Sequence, residues 1–457
     1  MDILIVSIYL FSTLVIGMYN PNKAKTISAY NRIGKDINNN KFILAATIFS
    51  SSVGGGTTVG LIEKTYEYDL SFAYGLILAI PVDILIALLI VPRLSAFRGT
   101  SSVGEIVSLY YGTGPRMITG IAAALSSIGY VAAQISASGV IFGFILKVDY
   151  EYAVIMSSIV LVTYTAIGGL RSIVLNNTLQ FIIMNIAIPA LAITGIMSIG
   201  PQNFLKFVPA EKYDIFSNTQ LFWNSICAAI SFSVMGFYPS LIQRIVAGRT
   251  HEQVTKAIYI KAFVYFLFIC FICINGLLAT AVVYGAKPSN ALNLLIDQVV
   301  PAGLKGLVIT GLLASVMSTA DSDINVASIS IVNDILKPLN FFHDKWLVTI
   351  AKFVTVIIGS LSIILVLKFK NIVDIVIFSA GLWSPVVVVP IIACLYRKTV
   401  SNFGFYLSSF GGTVTFSLYE ILYSGSKISG VFVGTVTSLI LFMIILNIEK
   451  KTTTVAI

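Results

Sequence analysis

The stretch Leu312–Ile335 reads LLASVMSTADSDINVASISIVNDI and lies in a strongly apolar region, yet it carries Ser315, Ser318, Thr319, Asp321, Ser322, Asp323 and Asn325. At about 100° per residue these seven fall on one side of a helix, and Leu313, Val316, Met317, Ala320, Ile324, Ala327 and Ile331 fall on the other. A carboxylate near the centre of a bilayer costs on the order of 2.5 to 3.5 kcal/mol even on insertion scales, so two of them two residues apart need cations, water or hydrogen-bond partners. The stripe predicts an ion site inside a membrane protein. The alternative is a solvated, inert pair of aspartates at a helix mouth.

The rest of the chain supplies the membrane. Hydrophobic residues make up 57% and charged residues 11%, far from the roughly one quarter charged of a soluble domain. Apolar spans fall at about residues 2–18, 42–62, 70–92, 117–146, 150–167, 173–199, 219–241, 262–285, 306–333, 346–367, 372–396, 402–422 and 428–447. The fold class is therefore an all-α polytopic membrane protein of about thirteen transmembrane helices. The first run, Ile3 to Met18, follows Asp2 instead of a basic segment and lacks a small-residue cleavage site, so it reads as a retained span. Cys227, Cys270, Cys273 and Cys394 sit in apolar spans without metal-ligand spacing and read as core thiols.

The net charge of +9 follows topology and gives no sign of nucleic acid or of a protein partner. With the N-terminus outside and the C-terminus cytoplasmic, nineteen Lys and Arg side chains fall in cytoplasmic segments and nine in external ones, as the positive-inside rule requires. Lys23, Lys25, Arg32, Lys35, Arg116, Arg244 and Lys261 are among the cytoplasmic set; Lys370 and Lys427 are among the external set. The expected setting is a bacterial cytoplasmic membrane, with the lipid bilayer as the partner that this charge pattern implies.

In the span 42–62, Ser50-Ser51-Ser52-Val53-Gly54-Gly55-Gly56-Thr57-Thr58 falls in the middle. Each glycine gives up roughly 0.8 to 1 kcal/mol of helix propensity. Unwound backbone at membrane depth is tolerated where it lines a cavity or coordinates a cation. Tight helix packing by small residues is the alternative. A milder break, Gly236-Phe237-Tyr238-Pro239, interrupts 219–241 five spans later. Two interrupted helices at corresponding positions point to an inverted-repeat carrier, with halves at 42–199 and 219–396 flanked by 1–41 and 402–457. His251 and His343, the two histidines, fall in predicted cytoplasmic loops, so an intramembrane enzyme lacks a buried base. Asp83 reads as one half of a pair with a neighbouring helix.

Four segments resemble one family. Tyr164-Thr165-Ala166-Ile167-Gly168-Gly169-Leu170 with Leu175-Asn176-Asn177-Thr178-Leu179-Gln180 resembles the signature of the sodium/solute symporters. Met317-Ser318-Thr319-Ala320-Asp321-Ser322 resembles their eighth core helix. Leu241-Ile242-Gln243-Arg244 and Leu395-Tyr396-Arg397-Lys398 fit the landmarks after core helices six and ten. The resemblance implies a LeuT-type five-helix inverted repeat core with broken helices one and six, and Na+ as coupling ion without another cofactor. It places a principal sodium site at the carbonyls of Ser50, Val53 and Ser315 and the hydroxyls of Ser318 and Thr319, all oxygen donors as a hard cation requires.

Where the signature has Thr-Asp, this chain has Asn176-Asn177, and Asp321 stands one turn from Ser318. The missing charge thus moves from helix five to helix eight, and Asp321, Ser322, Asn177 and Ser318 form a possible second sodium site. The sialic acid branch grips a carboxylate with an arginine on core helix three; the aligned residue here is Tyr130, beside Gln134. A Tyr ring suits a neutral, zwitterionic or cationic solute. Ser52, Thr57, Thr58, Ser231, Phe232 and Val234 complete the aligned lining, with packing as the alternative for each.

The reading is a sodium-coupled importer working by alternating access. Its competitors are a proton-coupled carrier using Asp321 and Asp323, and a sensor or channel derivative, which the tail of about ten residues after Asn447 disfavours for want of an output domain.

Overall fold

The computed structural model describes residues 1–18, 26–31, 40–216, 218–368, 372–423 and 428–455. Among them every regular element is a helix. Lys23, Lys25, Arg32, Lys35, Lys370 and Lys427 of the topology count lie outside these residues. The principal helices are α1 (Asp2–Met18), α2 (Lys41–Ser50), α3 (Val59–Glu67), α4 (Ser71–Leu85), α5 (Val103–Tyr111), α6 (Thr113–Leu146), α7 (Tyr150–Ile199) and α8 (Thr219–Met235). They continue as α9 (Pro239–Ala247), α10 (His251–Val282), α11 (Pro288–Val299), α12 (Leu304–Ile329), α13 (Leu347–Lys368), α14 (Ile372–Trp383), α15 (Asn402–Leu422) and α16 (Gly430–Val455).

Eight helices among the described residues are long and apolar enough to cross a membrane, or nine with α8 and α9 as one bent span. The difference from thirteen has local causes. α1 has 17 residues; the span 42–62 divides into α2 and α3; α15 is diluted by Ser, Gly and Thr; and two expected spans merge in α7. That merged helix is kinked at Gly169 (φ 69°, ψ −177°), the Gly-Gly turn read from the sequence. A side chain there is strained by the positive φ and would meet the Tyr30 ring and carbonyl.

α12 is the axis. Every residue from Val308 to Ile329 is buried, because α7, α6, α1 and α13 pack around it. The apolar face of the striped helix therefore meets protein, the usual fate of a helix that must bury its whole circumference. α1 seals one side of it. Asp2 Oδ1 accepts hydrogen bonds from the N–H groups of Gly303 (2.9 Å) and Gly306 (2.7 Å), a carboxylate at the positive end of a helix. Tyr9 donates to Met317 Sδ at 3.7 Å and accepts from Gln180 Nε2 at 3.0 Å.

Three cations placed in cytoplasmic segments by the charge pattern lie within helices. Lys261 on α10 pairs with Asp83 at 2.6 Å, the partner expected for that aspartate. Arg116 on α6 meets Asp334 at 3.3 Å. Arg244 on α9 is fully buried. A cation bordering an apolar run looks the same in sequence whether it faces water or a buried carboxylate.

Candidate cation and solute site

Both expected breaks are present. α2 begins under Asn40, whose side chain accepts from the N–H groups of Phe42 and Ile43, and ends at Ser50; regular helix resumes at Val59. The intervening polar groups find partners within the fold, as buried backbone must. The Thr58 hydroxyl donates to the Gly54 carbonyl at 2.9 Å and Thr57 bonds both polar groups of Gly54. The Gly55 N–H donates to Gln134 Oε1 at 2.6 Å. A Cβ on Gly54 would lie 2.6 Å from the same Gln134 oxygen, so glycine permits that close approach. The second break bends α8 from α9 by 52°, with Gly236 capping α8 and Pro239 opening α9. The Trp383 indole N–H takes up the freed Phe237 carbonyl at 2.8 Å.

At the first break, α12 supplies the partners. Ser318 Oγ lies 2.9 Å from the Ser50 carbonyl and 3.0 Å from that of Ser315. Thr319 Oγ1 lies 3.1 Å from Ser50 O, 3.0 Å from Val53 O and 3.4 Å from Ser315 O. Ser50, Val53, Ser315, Ser318 and Thr319 thus bring five oxygens into one buried cluster. Two of the donors are hydroxyls. Each points its hydrogen at a carbonyl here and can rotate to offer a lone pair to a cation. Neutral, hard oxygens in a buried cluster fit a small monovalent cation and lack the carboxylate number typical of divalent sites.

One turn along α12 is a second polar group. Ser322 Oγ lies 2.8 Å from Ser318 O and 3.2 Å from Asp321 Oδ1. Asn177 Nδ2 donates to Ser322 Oγ at 3.2 Å and to Thr47 Oγ1 at 3.1 Å, and Asn177 Oδ1 is buried without a hydrogen-bond partner. Tyr164 donates to Asp321 Oδ2 at 3.2 Å. Asp321, Ser322 and Asn177 therefore come together, with Ser318 contributing its carbonyl to this group while its hydroxyl serves the first. Asp321 is 0% exposed and Asp323 3%; neither is the solvated aspartate of the inert alternative. Ser240 Oγ bonds Asp323 Oδ1 at 3.2 Å.

The aligned lining residues separate. Ser52, Thr57 and Gln134 gather at the first break. Thr58 turns to α12, 3.2 Å from Ser315 Oγ, beside the cation cluster. Tyr130 packs with Val234 and Met235 against Ala380 and Phe416. Ser231 accepts from the Ser429 N–H at 3.3 Å, facing α16, and Phe232 packs at a tilt of 57° against Phe72 of α4 with centroids 6.4 Å apart.

Sequence reading missed Arg244, Thr47, Tyr164 and Gln180 as parts of this region. Arg244 donates to Ser322 Oγ (2.6 Å), Thr47 Oγ1 (3.3 Å) and Ser240 O (3.1 Å). Tyr164, Gln180 and Arg244 stand inside the motifs quoted above, and that placement was their only signal.

The chain as a whole is similar to known proteins. An osmoregulated proline transporter of Bacillus subtilis is 22% identical across 98% of this chain and 95% of its own length. The sodium/proline symporter of Staphylococcus aureus is 24% identical across 94% and 84%. The human sodium/iodide cotransporter is 22% identical across 69% of this chain, which spans about half (52%) of that relative's length. Among solved structures, a Na+-coupled sialic acid symporter in its substrate-bound outward-open state superposes with a TM-score of 0.83 at 16% identity, over 98% of this chain and 97% of that one. The likeness fixes the fold, that of the broken-helix transporters. The family model for sodium:solute symporters matches residues 36–412, the segment holding both breaks and the whole of α12, and the chain belongs to the sodium:solute symporter family, a family of transporters and not of enzymes.

Proposed function

We propose that this protein is a sodium-coupled secondary active importer of a small neutral, zwitterionic or cationic organic solute. It works by alternating access across thirteen membrane crossings, with inverted halves at 42–199 and 219–396. The observation that carries the reading is the convergence of Ser50, Val53, Ser315, Ser318 and Thr319, because a sodium ion there ties the broken helix α2 to α12. Solute binds beside the unwound Ser52–Thr57 segment, facing Gln134 and Tyr130. No charged side chain stands among those residues, which favours a solute without strong net negative charge; the proline-named relatives agree with a zwitterion. The same relatives support a bacterial cytoplasmic membrane, and the cation asymmetry supports an outside N-terminus. Asp321, Ser322, Asn177 and the Ser318 carbonyl form a second sodium site, supported by the unpartnered Asn177 Oδ1 beside a buried carboxylate.

A proton-coupled carrier is the second reading, favoured by the burial of Asp321 and Asp323. Uptake into proteoliposomes of labelled amino acids, choline, betaine, pantothenate and sugars under separate sodium and proton gradients decides. Sodium-driven accumulation supports the proposal; uptake driven by a proton gradient alone overturns it.

A further inference from the structure

The second cation group contains a cation already. Arg244 is 0% exposed and its charge acts on both Asp321 and Asp323. A hydroxyl oxygen has two lone pairs. On Ser322 Oγ they receive Asn177 Nδ2 and Arg244 Nη2; on Thr47 Oγ1 they receive Asn177 Nδ2 and Arg244 Nε. Neither hydroxyl has a lone pair left for a metal ion, and a second positive charge beside the guanidinium is repelled. Arg244 is also one of three polar ties from its helix to α12. α9 joins α8 through the bent break and meets α12 through Ser240 to Asp323, Gln243 to Asn325 (3.2 Å) and Arg244 to Ser322.

From this, and resting on the sodium-coupled reading above, we infer that Arg244 is a tethered cation that competes with the second sodium ion, so that the ion's entry and the release of α9 from α12 are one event. The guanidinium holds the site while α9 is docked. When sodium takes Ser322 Oγ, Arg244 loses its principal acceptor and α9 is freed to swing about the Gly236–Tyr238 break. Sodium occupancy is thereby converted into movement of the inner half of helix six.

The test is equilibrium binding of radioactive sodium to the purified full chain, with Arg244→Gln and Arg244→Lys compared to wild type. Glutamine removes the competing charge, and the second ion then binds about tenfold or more tightly. Lysine keeps the charge without the fork that spans both hydroxyls and falls between. Independently, Ala247 packs against Leu170 and Val174, so undocking exposes it. With Arg244 intact, Ala247→Cys, in a chain whose four native cysteines are replaced, reacts faster with a thiol reagent when sodium is saturating. Unchanged or weaker second-ion binding in a folded Arg244→Gln protein overturns the inference, as does wild-type binding of one ion per chain. If Arg244→Gln fails to fold, labelling of Ala247→Cys that ignores sodium overturns it alone. Wild type that binds no sodium at all instead removes the transport reading on which it rests.

Discussion

Removing the two hydroxyls of the first cation cluster is the most direct perturbation. Ser318 Oγ and Thr319 Oγ1 are two of its five oxygens, within 2.9–3.4 Å of the other three. A hydrogen-bond-scale contact to a charged group is worth about 1.5 to 3 kcal/mol. Each single Ala substitution is therefore predicted to raise the sodium concentration for half-maximal uptake by roughly 10- to 150-fold, at 1.4 kcal/mol per tenfold. Thr319→Ser keeps the oxygen and should stay near wild type. Thermal unfolding gives a readout independent of solute. Sodium at about a hundred times its dissociation constant stabilises the fold by about 2.7 kcal/mol, and a hundredfold weaker site leaves about 0.4 kcal/mol at the same concentration. The substitutions also strip donors from the Ser50 and Val53 carbonyls, so the sodium-free protein loses about 1 to 3 kcal/mol for each group left bare. A Ser318→Ala/Thr319→Ala protein with wild-type sodium dependence in both assays would refute the assignment.

Three further outcomes are expected. Asp321→Asn lowers the sodium Hill coefficient towards one and reduces the charge moved per solute, while Asn177→Asp in that background restores part of both; unaltered coupling in Asp321→Asn sinks the second site. Tyr130→Cys and Thr57→Cys, each in a chain without native cysteines, are protected from a membrane-impermeant thiol reagent by saturating solute, and equal labelling rates with and without it would remove them from the lining. Lys261→Met strands the Asp83 carboxylate and costs about 3 to 5 kcal/mol, whereas the joint replacement Asp83→Leu/Lys261→Met costs much less; additive losses in thermal unfolding would show that the pair is not coupled.

What the sequence made legible was whatever depends on local chemistry in an apolar setting. Three glycines ringed by Ser and Thr cannot form a stable stretch of membrane helix, so the break after Ser50 was readable without a partner in view. Gly236 and Pro239 marked the second break for the same reason. The polar face of α12 was readable as a face, but not the burial of its apolar side, because protein and lipid reward the same residues. Arg244 escaped for a related cause: a guanidinium at the end of a span has one appearance in sequence and two destinations in space. Ser231 and Phe232 lie before the bend, on α8, where contacts with Ser429 and Phe72 set which way each side chain faces, and alignment does not carry those contacts.

The carboxylate cap on α12 has a consequence for biosynthesis. Asp2 and Gly303 are 301 residues apart in the chain, so at about 5 to 20 residues per second the first helix waits roughly 15 to 60 seconds before its partner has been made. Throughout that interval Asp2 has no helix end to neutralise it, although Tyr9 and Thr13 already have α7 to face, through Gln180 and Asn176. α1 must therefore be stable against α7 with its carboxylate uncapped, and it closes the wall around the axis only when α12 arrives. Late docking of the earliest helix makes completion of the cation-bearing axis a checkpoint in assembly, and weakening the Asp2 cap should lengthen the lifetime of a protease-sensitive nascent form.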